Sequence, residues 1–133
     1  MIAVVERIVL AVFLACMLVA CHKKVDQAQV AAQVAKNYYY YLLDGRYDDY
    51  VSGTNRPDSI PESYRSQLVD NARMFMRQQD IEHKGIKGVG IHHASFNEKA
   101  SSANVVLTFA YGDGTSEQVL VPMVYRNGVW LMR

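Results

Sequence analysis

Between Val25 and Leu43 the apolar residues recur at helical spacing. On a wheel centred on Tyr38, the side chains of Ala31, Ala35 and Leu42 lie beside it and Val34 and Tyr41 flank it. Asp26, Gln29, Gln33, Lys36 and Tyr40 fall opposite. The pattern predicts an amphipathic helix stopped at Asp44-Gly45. Tyr47 to Val51 reads as a short further helix, and Ser52 to Asp58, with Gly53, Asn55 and Pro57, as a loop. Ser59-Ile60-Pro61-Glu62 fits a capping box ahead of a long helix. That helix puts Tyr64, Leu68, Ala72 and Phe75 on one face, pairs Asp70 with Arg73 and Arg77 with Asp80, and ends at Gly85.

Beyond Gly85 the period changes from 3.6 to two. Strands are expected over Gly88 to Asn97, Ala103 to Tyr111, Glu117 to Arg126 and Val129 to Arg133. Asn127-Gly128 is a two-residue turn signal that opposes Tyr125 to Trp130 and Met123 to Met132. At the preceding turn a two-residue loop would mix the faces. A three-residue loop, Gly112-Asp113-Gly114 with Gly114 left-handed, instead opposes Leu107 to Val119 and Val105 to Val121. This register gathers Val105, Leu107, Phe109, Tyr111, Val119, Val121, Met123, Tyr125, Trp130 and Met132 on one face. Helices followed by an antiparallel meander predict an α+β fold with the helices on one side of the sheet.

The N-terminus follows a different rule. Ile8 to Ala20 is uninterrupted apolar sequence after Glu6-Arg7. As a helix it spans roughly 20 Å, short of the ~30 Å hydrocarbon core, and reads as a secretory leader. The run ends in Leu18-Val19-Ala20-Cys21, which resembles the lipobox of bacterial lipoproteins. The resemblance implies cleavage of residues 1–20, acylation of Cys21, a tether over residues 21–24 and a folded domain over residues 25–133. Several acyl chains at ~0.8 kcal/mol per buried methylene hold a protein on a bilayer where one does not. His22 stands where inner-membrane retention is associated with aspartate, so the resemblance points to the outer membrane, facing the periplasm.

Composition narrows the classes. The chain has 133 residues, 50% of them hydrophobic, 20% charged and 3 proline, enough for one core and too little for a second domain. The net charge of +1, with no basic run beyond Lys23-Lys24, does not favour nucleic acid. With Cys16 in the leader and Cys21 acylated, no thiol is left for a disulfide, a zinc site or a nucleophile. The histidines lack ligand spacing, and neither a metal nor a cofactor is expected.

The segments Tyr38-Tyr39-Tyr40-Tyr41-Leu42-Leu43-Asp44-Gly45-Arg46-Tyr47, Pro61-Glu62-Ser63-Tyr64-Arg65, Gly85-Ile86-Lys87-Gly88-Val89, Tyr111-Gly112-Asp113-Gly114-Thr115 and Asn127-Gly128-Val129-Trp130 resemble small bacterial lipoproteins of the nuclear-transport-factor-2-like superfamily. The similarity covers nearly the whole mature chain and is close to the subgroup labelled lumazine-binding-like or of unknown function. It implies a cone: a curved sheet of four strands wrapped over the helices, with a cavity between them. Enzymes of the superfamily, such as ketosteroid isomerase and scytalone dehydratase, place Asp, His or Tyr inside that cone. The candidate lining residues here are Tyr38, Tyr41, Tyr64, His93, Phe109, Tyr125 and Trp130.

His93 is expected to face inward with Val89 and Ile91, unless a β-bulge exchanges it with His92. Beside a tyrosine hydroxyl it would serve an isomerase, dehydratase or hydrolase. No carboxylate falls on an inner strand face, which favours a non-catalytic module that binds a small cyclic molecule or an envelope protein. The tyrosines suit either a half-wet pocket or helix-to-sheet packing. The opposite sheet face carries Val106, Ala110, Leu120, Pro122, Val124 and Leu131, and the expected use is a homodimer.

Overall fold

Asp26 starts the first helix, α1 (Gln27–Leu43), by accepting a hydrogen bond from the Ala28 amide at 3.1 Å. At its other end Gly45 takes a φ of 74°, and the Arg46 amide returns to the Tyr41 carbonyl at 2.8 Å. The stop is where the sequence places it. α2 (Tyr47–Ser52) follows at once. These elements belong to a computed structural model that describes residues 3–8 and 25–133. Residues 3–8 are helical. Cys21, and with it the lipobox reading, lies outside the described residues.

The long helix, α3 (Glu62–His83), does not begin with the expected capping box. Pro61 is its N-cap, with φ −57° and ψ 143°, and no side chain caps it. The proline ring bars Ile60 from helical geometry, so Ser59 cannot stand three residues ahead of Glu62 on a helical turn. Of the two expected ion pairs, Asp70 and Arg73 meet at 2.8 Å. At the C-terminus Lys84 takes the left-handed cap, one residue before the expected Gly85. His83 stacks on Tyr111, ring centroids 4.1 Å apart, and meets the Asp113 carboxylate at 3.3 Å, which ties the helix end to the following hairpin.

The sheet has the order β1 (Ile86–Asn97), β2 (Ser102–Tyr111), β3 (Ser116–Arg126), β4 (Val129–Met132), antiparallel throughout. Leu107 opposes Val119 and Val105 opposes Val121, so the three-residue loop forms, with Gly114 at φ 84°. Tyr125 opposes Trp130 across Asn127-Gly128, both at positive φ. Gly53 and Asn55, past the end of α2, exchange hydrogen bonds with Met132 at 2.8 and 2.7 Å around a parallel bridge at Thr54.

The core lies between α1 and the sheet. Ala31, Ala32 and Ala35 are fully buried against a floor that includes Val105, Leu107 and Met123. Only methyl groups stand on this stripe, which lets the helix pack close against the strands. Among the described residues the buried hydrophobic ones lie between Ala31 and Met132. The clefts are at the margins of the helix layer.

Candidate ligand-binding site

The stripe that α1 turns to the sheet is centred nearer Ala35 and Tyr39 than Tyr38. Tyr39 packs on Phe109, centroids 5.2 Å apart, and on Tyr50 at 5.7 Å. Burial first, and then the neighbouring Tyr50, push its hydroxyl pKa well up. Tyr38 is consequently rotated to the rim of the core, half-buried, where the sequence reading expected it to be buried. Its hydroxyl donates to the Trp130 carbonyl at 2.7 Å, linking the helix to β4, and burial raises its pKa.

This rotation opens a groove of about 480 Å³ between α1 and the β3–β4 hairpin. Tyr38, Tyr41, Tyr125 and Trp130 line it, with Val30, Val34, Asn37 and Val129. Tyr125 and Trp130 are 5.2 Å apart and tilted, and Tyr38 and Tyr41 are 6.3 Å apart. Trp130 is 4% exposed, and its indole N–H has no acceptor among the described residues. Four of the seven candidate lining residues thus share one groove. Among the described residues the lining contains no carboxylate and no imidazole.

The other three go elsewhere. Phe109 is a core residue between Tyr39 and Tyr111. Tyr64 is exposed on α3, where Arg56 donates to its hydroxyl and covers its ring. His93 is exposed and does not face inward. The ladder slips between Ile91 and His93: Ile91 opposes Leu107, but His93 opposes Val106 on the far face of the sheet. The extra residue at this bulge reverses the alternation on which the inward assignment rested. His92 does not take the inward place, since it is exposed beside Gln118, 3.2 Å away. Ala94 resumes the inner row opposite Val105. The expected pair of a pocket histidine and a tyrosine is therefore not assembled.

A second cleft, of about 380 Å³, contains residues that the sequence reading did not single out. Leu42, Tyr50, Val51, Leu68, Ala72 and Phe75 form its walls, and Thr54, Arg56, Asn71 and Arg133 its polar side. Arg56 sits in the loop between α2 and α3, where no periodicity marks a residue as inward.

No family model matches the chain, and no curated protein matches it. Among solved structures it is similar to a protein described as a nuclear-transport-factor-2-like transpeptidase from Campylobacter jejuni, with a TM-score of 0.60 and 14% identity over 75% of this chain and 94% of that one. It is also similar to a SEC-C motif containing protein from Rhodopseudomonas palustris, with a TM-score of 0.52 and 15% identity over 74% of this chain and 71% of that one. At such identities the likeness speaks to architecture alone. Helices packed on one face of an open four-stranded antiparallel sheet, in the order and register described, give this chain the nuclear-transport-factor-2-like fold.

Proposed function

We propose that the chain is an envelope lipoprotein, anchored through Cys21 to the outer membrane, whose single domain binds a small flat molecule without transforming it. One observation supports the binding reading: the groove between α1 and the β3–β4 hairpin offers aromatic and apolar walls and, among the described residues, no acid or base beyond tyrosine hydroxyls. Proton-transfer chemistry is best served by a group that titrates near neutral pH, and none of the described residues that line the groove does so. Aromatic rings with one wet edge suit a flat ligand. The anchor is supported by the lipobox, and the outer sheet face, with Leu120 58% exposed, suits a second copy or another envelope protein.

The chain has 1 tryptophan, so its emission reports on the groove directly. A panel of flat cyclic compounds should quench or shift Trp130, with the effect lost in Tyr125→Ala and the compound recovered unchanged. Tyrosine-dependent turnover of a bound compound would overturn the non-catalytic reading. The anchor is tested apart from this. Metabolic labelling with a fatty-acid analogue should mark the wild type and not Cys21→Ala; equal labelling refutes it.

A further inference from the structure

The arginines around the loop that joins α2 to α3 differ in how they are paired. Arg65 reaches the Ser52 hydroxyl at 2.8 Å, the Asp48 carbonyl at 3.1 Å and the Asp48 carboxylate at 3.4 Å. Arg126 donates to the Arg56 carbonyl and the Asp58 carboxylate, each at 3.1 Å. Both are satisfied, and both hold the loop in place. Arg56 has no carboxylate. Its Nη1 donates to the Tyr64 hydroxyl, while its Nε is buried without an acceptor among the described residues. Nε is closed off from the cleft, but Arg56 lines the cleft, and an anion there would meet a guanidinium that makes no salt bridge among the described residues.

Arg56 lines two clefts; the one towards β4 also holds Asp58, Arg65 and Arg126, while the one towards α3 has the complementary shape for an anion with an apolar body. Its walls are apolar, with Leu42 and Ala72 buried at the base and Leu68 and Phe75 from α3. Asn71 and Arg133 join Arg56 on the polar side, and among the described residues no aspartate or glutamate side chain lines it. The Thr54 hydroxyl is engaged with the Val51 carbonyl at 2.6 Å, so the free donors are the two arginines and the Asn71 amide. A volume of about 380 Å³ falls within the ~300–1,000 Å³ usual for small ligands. The cleft is therefore a hydrocarbon slot with a positive lip. Phosphate alone would leave the slot unfilled, and a neutral hydrocarbon would leave the guanidinium unpaired.

We infer that this cleft binds a monocarboxylate with a hydrocarbon body, its head group at Arg56 and Arg133 and its tail against Leu68, Ala72 and Phe75. The inference rests on the reading of the domain as a binding module, but not on the lipid anchor. It adds a second site and a ligand class to the groove on the other side of α1.

The test uses the full chain and follows backbone amide shifts during titration with octanoate, 1-octanol and acetate. Octanoate should shift Leu68, Asn71, Ala72 and Thr54, at least tenfold more tightly than octanol, with acetate giving no saturable shift. Arg56→Gln should weaken octanoate at least tenfold and leave octanol unchanged. Arg133→Gln, at an exposed side chain that the core does not need, should weaken octanoate several-fold, and it serves if Arg56→Gln melts early. Equal affinity for octanoate and octanol, or octanoate binding untouched by both variants, overturns the inference. Shifts confined to Tyr125, Val129 and Trp130 overturn it as well, yet leave the binding-module reading standing. If octanoate, octanol and acetate shift nothing while a flat cyclic probe still moves Trp130, only the present inference falls.

Discussion

Gly53 is a position where one added methyl group has no room. Its φ is −82°, so an alanine would suffer no backbone strain there. The obstacle is the Tyr38 ring: an added Cβ would lie 2.5 Å from Cδ1 and 2.8 Å from Cζ, and closer still to Cε1. Carbon atoms rest at about 3.5–4.0 Å, so the ring or the backbone has to move by about an ångström. Neither is free. The ring is anchored by its hydroxyl on Trp130, and the Gly53 carbonyl accepts from Met132. Overpacking of this kind costs about 1–3 kcal/mol, and loss of the Tyr38 hydrogen bond about 1 more. For Gly53→Ala this gives about 2–4 kcal/mol, or a fall in Tm on the order of 8–16 °C in a domain of this size. Chemical denaturation in a double-mutant cycle isolates the cause. In a Tyr38→Ala background the same substitution should cost no more than ~0.5 kcal/mol, because the obstructing ring is gone. Equal costs in the two backgrounds would refute the reasoning, and so would a wild-type-like Tm for Gly53→Ala.

Other expectations follow from the same geometry. Burial, followed by the hydrogen bond to Glu117, pushes the Tyr111 hydroxyl up to about 12. The neutral phenol is the favoured form in the fold, so its contribution is complete below pH ~10, the unfolded value, and is lost as the pH rises towards 12. Phenolate absorbance should therefore show late-ionising tyrosines that titrate together with unfolding; independent ionisation of all nine near pH 10 would contradict this. Ala35→Leu, at a site with no exposure, should destabilise by about 1–3 kcal/mol in thermal melts, and a neutral result would show that α1 can lift from the sheet at little cost. His92→Ala and His93→Ala should each change stability by less than ~0.5 kcal/mol, since both side chains are exposed; a large loss at either would contradict the bulge. The leaderless domain should sediment as a dimer, and Leu120→Lys with Val124→Glu as a folded monomer. A wild-type monomer at high micromolar concentration counts against pairing through that face.

The legible parts of this fold were those written in local chemistry. Asn127-Gly128 and Gly114 need left-handed backbone, which fixes loop length, and loop length with strand alternation fixes register from Val105 to Met132. The errors came where a nonlocal constraint decided. At Ile91-His92-His93 no glycine or proline announces the bulge, and one inserted residue was enough to move His93 to the opposite face. At Ser59 the pattern for a cap was present, but Pro61 vetoed the helical turn it required. The rotation of α1 that sends Tyr39 inward depends on how three alanines seat against the sheet, a preference that a wheel centred on the bulkiest residues does not capture. Arg56 carries no pattern at all. Its setting is made by the loop's attachment to Met132 and Arg126, contacts about 70 residues away in sequence.

That attachment also determines how two copies of the sheet can meet. The outer side of β4 is already occupied by Gly53, Thr54 and Asn55, whose hydrogen bonds to Met132 take the place a visiting strand would need. The other margin is β1, where register breaks at Ile86/Gly88 and Ile91/His93 kink the strand, and Lys87, His92 and His93 stand exposed. With one margin covered and the other bent, neither can template a strand from a neighbour. At high local concentration, edge-to-edge growth of this domain into open chains is therefore blocked. The proposed twofold contact through the outer face would close on itself and stop at two.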